Sequence, residues 1–229
     1  MENYDYIRDN YEALSREIRE YEQKYSRSIT LVAVTKSGSD SELLSLAAAG
    51  AVDIGENRPG ELARRGAILR EAGFSPRLHE IGNLQRNKVK YIIRDVSLIH
   101  SLDSLSLAEE IERQAVKVSR TVPVLIEINS GREASKGGIM PEEAEQFLLS
   151  LRDYPHLSVS GLMTMGPVCD DPEDSRQYFR LTRRLFDTLG ERYGFTGGGI
   201  LSMGMSDSYR VAIEEGSTLV RVGRRLFQR

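Results

Sequence analysis

The chain has 229 residues, of which 40% are hydrophobic and 28% charged, the balance of a globular protein able to bury a core. Its formal net charge is −3, so no strong basic field favours binding to nucleic acid or to an anionic membrane. No apolar run approaches the ~20 residues that span a bilayer, no signal peptide is visible, and the single Cys169 excludes an internal disulfide. We therefore expect a cytoplasmic protein that binds neither nucleic acid nor membrane.

Helical and strand patterns alternate along the chain. Residues 3–25 carry spaced apolar positions and predict an amphipathic N-terminal helix. Eight short apolar runs follow, and each predicts a buried strand: 29–35, 51–55, 78–82, 97–101, 122–128, 157–163, 199–203 and 218–222. Helical patterns lie between them, near 41–49, 58–72, 84–94, 104–117, 141–153, 174–193 and 207–215.

Strands that alternate with helices form parallel sheets with right-handed crossovers. Two architectures satisfy this order, a closed (β/α)8 barrel and an open doubly wound sheet. Eight strand–helix units in 229 residues fit a compact barrel, and no linker or composition shift marks a second domain. The sequence therefore predicts an α/β fold, a single (β/α)8 TIM barrel over residues 1–229 with an extra N-terminal helix, 1–27, packed on it.

Lys36 closes the first predicted strand. In a parallel barrel the functional residues lie at the carboxyl ends of the strands, so Lys36 would project into the mouth. An amine held there, partly dehydrated, can lose its proton near neutral pH and attack a carbonyl group. A solvated lysine that opens a loop is the alternative interpretation, and the position alone leaves both open.

The exits of the last two predicted strands suggest a phosphate site. Barrels commonly bind phosphate in the loops after strands seven and eight, near a helix N-terminus. Ser202 would supply a hydroxyl group there. Met203, Gly223 and Arg224 would supply backbone N–H groups, and Gly223 lets the main chain approach closely. A glycine-containing strand exit followed by an ordinary turn is the alternative.

The remaining strand ends add weaker candidates. Asn57 follows the second predicted strand and would face the same mouth as Lys36. Met163 and Met165 alternate along the sixth strand, so both point into the barrel, where core packing is the default role.

Several other polar residues receive structural interpretations. His79 begins a strand and is interpreted as a satisfied core residue. Ser206 and Asp207 are interpreted as N-cap residues of the helix 207–215. The three histidines and Cys169 show no metal-ligand spacing, so a zinc site is not expected.

A set of motifs in a fixed order carries a family resemblance over almost the whole chain. They are VAVTK (32–36), IGENR (54–58), HEIGNLQRNK (79–88), SKGG (135–138), GLMTM (161–165), LSMGMSD (201–207), EEGS (214–217) and VRVG (220–223). Together they resemble the pyridoxal phosphate homeostasis protein family, whose fold is similar to the N-terminal barrel of alanine racemase.

The resemblance implies that Lys36 carries pyridoxal 5′-phosphate (PLP) as a Schiff base and that Arg221 faces the pyridine nitrogen. The predicted cofactor-binding residues are Lys36, Asn57, Met163, Ser202, Met203, Arg221, Gly223 and Arg224. Two positions depart from the family pattern, because Asn83 stands where His is more frequent and Arg224 stands where Thr is usual. An arginine beside the ring nitrogen cannot protonate it as an acid would, which leaves the ring a weak electron sink.

We therefore expect a monomeric carrier or regulator of intracellular PLP, not an enzyme, that releases PLP to apo PLP enzymes. The alternative is a PLP-dependent amino-acid racemase or decarboxylase of the same barrel type. Such relatives need a second domain, for which the six residues after Gly223 leave no room. A Schiff-base aldolase acting on a phosphorylated sugar is a third hypothesis.

Overall fold

Short aliphatic and β-branched runs form a closed barrel of eight parallel strands in the computed structural model, which describes residues 4–229. The strands are β1 Thr30–Val34, β2 Asp53–Glu56, β3 Arg77–Glu80, β4 Val96–Leu102, β5 Val122–Glu127, β6 Leu157–Met163, β7 Ile200–Ser202 and β8 Leu219–Val222. Each strand pairs with the next, and β8 pairs with β1 with Leu219 beside Thr30, so the sheet has no free edge. The predicted TIM barrel and its eight strands are confirmed.

Helices fill the connections between the strands. The α-helices are α1 Asp5–Tyr25, α2 Asp40–Ala48, α3 Pro59–Glu71, α4 Leu105–Lys117, α5 Ala144–Ser150, α6 Arg176–Tyr193 and α7 Tyr209–Glu214. The predicted N-terminal helix corresponds to α1, which buries Ile7, Leu14 and Ile18 and packs against α2. The part of that prediction that falls on residues 1–3 lies outside the described residues.

Three of the predicted helices differ from the observed ones. The segment 84–94 contains a 3₁₀ helix, Arg86–Tyr91, in place of an α-helix. The buried residues Val89 and Ile92 of this segment are three positions apart. They therefore lie on one face of a helix that has three residues per turn. The predicted helix 141–153 keeps only α5 as α-helix, between two short 3₁₀ turns. The predicted helix 207–215 starts later, at Tyr209.

Side chains alternate between the barrel interior and the surrounding helices. The apolar interior is small and consists of Val32, Leu98, Leu125, Met163 and Leu219. The larger core lies between the strands and the helices. Side chains on one face of a strand recur every second residue. The last inward-facing side chains of each strand, beyond the interior positions just named, therefore reach the mouth at the carboxyl end of the barrel.

Residues 4–229 contain neither a membrane-spanning helix nor a cluster of metal-ligand side chains. No helix there combines the length and the apolar composition needed to cross a membrane. The same residues contain no group of three or more His, Cys, Asp or Glu side chains arranged to hold a metal ion.

Candidate functional site

A cavity of about 410 Å³ opens at the carboxyl end of the barrel. The predicted site residues that line it are Lys36, Asn57, Arg221, Gly223 and Arg224. Residues that the sequence did not assign to the site also line it, among them Ile81, Met165, Cys169, Met205, Ser206 and Asp207. The structure therefore brings five predicted residues, from the ends of three strands, to one surface.

Lys36 lies at the exit of β1 on a backbone that is held on both sides. The buried guanidinium of Arg65 donates to the carbonyl oxygen of Thr35 at 2.7 Å and to that of Gly38 at 2.7 Å. The Lys36 amine makes no ion pair within residues 4–229, so it is available to a ligand. Lys36 is exposed, however. The protein alone therefore does not provide the partial dehydration of the amine that its position at the strand end predicted.

A buried ion pair lies beneath the end of β1 and stabilises it. Glu56 and Arg65 are almost fully inaccessible, and Arg65 Nε lies 3.1 Å from Glu56 Oε1. The hydroxyl of Thr35 donates to the same carboxylate oxygen at 2.6 Å. Burial raises the pKa of Glu56, and the contacts with Thr35 and Arg65 oppose that rise. The three side chains together fix the strand end that presents Lys36.

The opposite wall of the cavity carries hydrogen-bond donors of the kind that bind an anion. The Gly223 N–H donates to Ser206 Oγ at 3.3 Å, which leaves the Ser206 hydroxyl hydrogen free to donate. A Cβ atom at Gly223 would lie 3.0 Å from the carbonyl oxygen of Val34, so the close packing of the β8 exit against β1 favours glycine. The exposed Arg224 guanidinium pairs with Asp207 at the rim.

Three predicted site residues do not reach this cavity. Ser202 and Met203 are fully buried, and Met163 is 1% exposed within the barrel interior. Ser202 is the last residue of β7 and points inward one layer below the mouth, where its hydroxyl meets Arg221 and His100. Met203 faces the helices, in the outer core.

Ser206 occupies the cavity wall where Ser202 was expected. The interpretation of Ser206 and Asp207 as helix caps is wrong, because α7 begins at Tyr209 and the two side chains contact Gly223 and Arg224. The available signal was the position of Ser206 in the loop after the seventh strand, since phosphate sites of barrels are built from loops.

Arg221 forms part of the cavity floor. It is 4% exposed, and its guanidinium donates to the Thr164 carbonyl at 3.0 Å and to Ser202 Oγ at 2.5 Å. Burial lowers the pKa of Arg221 to about 10, and the nearby Glu127 opposes that fall. The group therefore remains a cation near neutral pH and can only donate hydrogen bonds.

A second cavity, of about 300 Å³, adjoins the first. The two share Asn57, Ile81 and Met165 as lining residues. Glu127 lines the second cavity, and burial together with the charge of Asp103 raises its pKa to about 7. The mouth therefore offers a polar chamber beside the one that contains Lys36.

The fold and the site define a class of proteins: a closed (β/α)8 barrel with a lysine at the exit of β1 and a buried arginine on β8. Residues 10–228 match the family model described as the N-terminal domain of alanine racemase. Curated relatives narrow the class. The pyridoxal phosphate homeostasis protein of Aquifex aeolicus is 45% identical over 173 residues, 76% of this chain and 75% of that protein. The one from Helicobacter pylori strain 26695 is 33% identical over 225 residues, 96% of this chain and 98% of that protein.

The chain belongs to the pyridoxal phosphate homeostasis protein family, as the sequence motifs predicted. Among solved structures it is similar to PipY of Synechococcus elongatus with PLP bound, at a TM-score of 0.84 and 27% identity. That alignment covers 97% of this chain and 100% of PipY.

Proposed function

We propose that this protein binds PLP at the barrel mouth and acts in PLP homeostasis, as a carrier that delivers PLP to apo PLP enzymes. The observation that carries the proposal is a single cavity that joins the amine of Lys36, which makes no ion pair with residues 4–229, to the hydrogen-bond donors around Gly223. The structure of PipY with PLP bound supports it. We propose further that the protein is monomeric and works in the cytoplasm.

The residues present fit PLP chemically. PLP carries an aldehyde, a pyridine ring and a phosphate of about −2 charge, and when bound it supplies an electrophilic carbon for amines. Lys36 would hold the aldehyde carbon covalently through Nζ. The Ser206 hydroxyl and the backbone N–H of Arg224 would hold the phosphate, and Gly223 would contribute by allowing close approach and by orienting Ser206 through its N–H.

Other predicted residues receive roles that follow from their positions. Asn57 lines both cavities and would orient the ligand at the boundary between them. Arg221 would face the pyridine nitrogen from the floor. Ser202 and Met163 would act from the barrel interior below the cavity, Ser202 by accepting from Arg221. Met203 would act only through packing in the outer core.

We propose that the protein has no robust turnover of its own. Arg221 donates hydrogen bonds but does not give up its proton near neutral pH, so it does not help the ring to accept electrons. Among the described residues that line the cavity, Asp207 is paired with Arg224 and the Cys169 thiol donates to the Pro167 carbonyl oxygen, so neither is free to serve as the second acid or base of a racemase. Tyr209, the nearest tyrosine in sequence, is buried and donates to Glu17 on α1 at 2.7 Å.

Borohydride reduction of the PLP-loaded protein followed by peptide mapping tests the binding site. We expect the label on Lys36 and its loss in Lys36→Ala. Lys136→Ala is the matched control, because Lys136 lines the adjoining cavity but pairs with Glu133 at 2.6 Å. A label on Lys136 or Lys88 would contradict the assignment.

Two assays separate a carrier from an enzyme. The loaded protein should restore activity to an apo PLP enzyme, with Lys36→Ala as the negative control. Its exchange of the Cα proton of alanine and other amino acids in deuterated water should stay well below ~1 s⁻¹, the low end of ordinary turnover. Exchange at or above that rate would favour the racemase alternative.

A further inference from the structure

Five buried side chains form a continuous hydrogen-bonded series along the barrel interior. We term it the interior series; its members are Asp53, His79, His100, Ser202 and Arg221. His79 Nε2 lies 2.9 Å from Asp53 Oδ1, and His79 Nδ1 lies 3.0 Å from His100 Nε2. His100 Nδ1 lies 3.0 Å from Ser202 Oγ, which accepts from Arg221 Nη1 at 2.5 Å. One end therefore lines the mouth, and the other lies where β2 begins, at the opposite end of the barrel.

The two ends of the interior series determine the direction of its hydrogen bonds. Arg221 can only donate, so Ser202 Oγ must accept from it. At the other end, burial opposes ionisation of Asp53, but hydrogen bonds from His79 and Arg77 keep the pKa of that carboxyl below its usual value. Asp53 is therefore an acceptor, and His79 must donate to it through Nε2–H.

Only one arrangement of the intermediate protons gives each of them an acceptor. The Ser202 hydroxyl donates to His100 Nδ1, His100 donates through Nε2–H to His79 Nδ1, and His79 donates to Asp53. If His79 were doubly protonated, His100 would have to donate to Ser202, and the Ser202 hydroxyl hydrogen would have no acceptor among its contacts. Burial also lowers the pKa of His100 well below its usual value, so that ring is neutral.

We propose that the interior series positions Arg221 for the cofactor ring: Asp53 holds both histidines as neutral Nε2–H tautomers, and this leaves the Ser202 oxygen free to accept from Arg221. The role at the ring rests on the proposed binding of PLP. The tautomers do not depend on PLP, because all the contacts are within the protein. Asp53, His79, His100 and Ser202 are thus positioning residues that act through Arg221.

Long-range ¹H–¹⁵N spectra of the histidine rings in the cofactor-free, full-length protein test the tautomers directly. We expect neutral Nε2–H rings at His79 and His100. A doubly protonated ring or an Nδ1–H tautomer at either residue would overturn the proposal. His156, which lies outside the series and contacts Glu112, serves as the reference signal within the same spectrum.

The Asp53→Ala and Arg77→Ala variants form a matched pair. Arg77 donates to Asp53 at 2.8 and 2.5 Å from the exposed side, so both variants lose the same ion pair. Only Asp53→Ala removes the acceptor of His79. In that variant we expect part of the His79 and His100 population to become Nδ1–H, so that His100 competes with Arg221 for the Ser202 oxygen.

The visible absorption spectrum of bound PLP and its affinity report the effect at the mouth. We expect Asp53→Ala to shift the absorption maximum and to weaken PLP binding ~3–10-fold, the range for one net hydrogen bond, and Arg77→Ala to change neither. Identical spectra and affinities in the two variants would overturn the proposal.

A second variant keeps the test decisive if Asp53→Ala does not fold. Ser202→Ala removes one hydroxyl and with it one of the two acceptors of Arg221, so we expect a spectral shift in the same direction from it. An unchanged spectrum in Ser202→Ala would overturn the positioning role. If the wild-type protein itself fails to bind PLP, the proposed function is wrong, and so is the role of Arg221 at the cofactor ring. The tautomers of His79 and His100 still test the proton arrangement in that case.

Discussion

The guanidinium of Arg65 donates to the carbonyl oxygen of Thr35, 2.7 Å away, and thereby ties α3 to the residue that precedes Lys36. Both groups are buried, and the same guanidinium pairs with Glu56. The position of the reactive amine therefore depends on a contact between two segments that are thirty residues apart. This contact turns a strand end into a defined site.

Replacement of Arg65 should destabilise the fold and weaken PLP binding together. Arg65→Met leaves Glu56 in the core without a cation, which typically costs about 3–5 kcal/mol of unfolding free energy. Arg64→Met is the control, because Arg64 is half exposed and pairs with Asp40 and Glu61 at the surface, where a pair contributes about 0–1 kcal/mol. Urea denaturation and PLP titration measure both effects, and equal losses in the two variants would contradict the assigned role.

Ser206 should contribute more to PLP affinity than another serine of the same cavity. A hydrogen bond to a charged group contributes about 1.5–3 kcal/mol, so Ser206→Ala should weaken PLP binding ~10–100-fold. Ser37→Ala is the matched control, since Ser37 also lines the cavity but lies on the Lys36 side. Spectroscopic titration with PLP separates them; a Ser206→Ala variant with wild-type affinity would rule out the phosphate contact.

Arg224 should affect the salt dependence of binding more than its strength. The Arg224 guanidinium is exposed and pairs with Asp207 at the rim, so part of its charge is already neutralised. Arg224→Thr should bind PLP about as well as wild type, with a weaker dependence on ionic strength. Asp207→Asn should have the opposite effect and strengthen the dependence. Titrations at two salt concentrations test this, and identical salt slopes in all three proteins would mean that Arg224 does not act on the phosphate.

Glu80 should make the stability of the protein depend on pH. Its side chain is fully buried on the same strand face as Leu78, its Oε1 accepts from the Gly82 N–H at 3.3 Å, and its Oε2 has no partner among residues 4–229. Burial, with a smaller contribution from the charge of Glu56, raises the pKa of Glu80 to about 8. Between the ordinary pKa and this value, the folded state holds a proton that the unfolded state has lost. Stability should therefore fall by about 1.4 kcal/mol per pH unit as the pH rises through this range.

Glu80→Gln should remove that slope, because the amide does not titrate. Urea denaturation of wild type and variant at pH 5.5, 6.5 and 7.5 gives the free energy of unfolding of each protein. The difference between the two at each pH reports on Glu80 alone, because Glu56 and Glu127 contribute to both proteins. Glu61→Gln is the control, since the pKa of this exposed carboxyl is lowered and it stays ionised throughout the range. Parallel curves for wild type and Glu80→Gln would show that Glu80 is ionised in the folded state.

The barrel and part of its site were predictable from the sequence. Period-two and helical patterns are local properties, so the alternation of eight apolar runs with helices was enough to predict the strands and their parallel order. Lys36 and Gly223 could be placed at the mouth for the same reason, since a strand exit is defined by the strand before it. The resemblance to the PLP homeostasis family, carried by motifs such as 201–207, added the cofactor.

Other features depended on the tertiary structure. Ser202 and Ser206 are four residues apart in one motif, and only the depth at which β7 ends decides that Ser206 reaches the cavity and Ser202 does not. The raised pKa of Glu80 depends on burial by elements that are distant in the sequence. The interior series joins residues on five strands, with His100 and Ser202 separated by 102 positions. No local pattern records such a contact, because it is created only when the closed barrel brings the inward faces of its strands together.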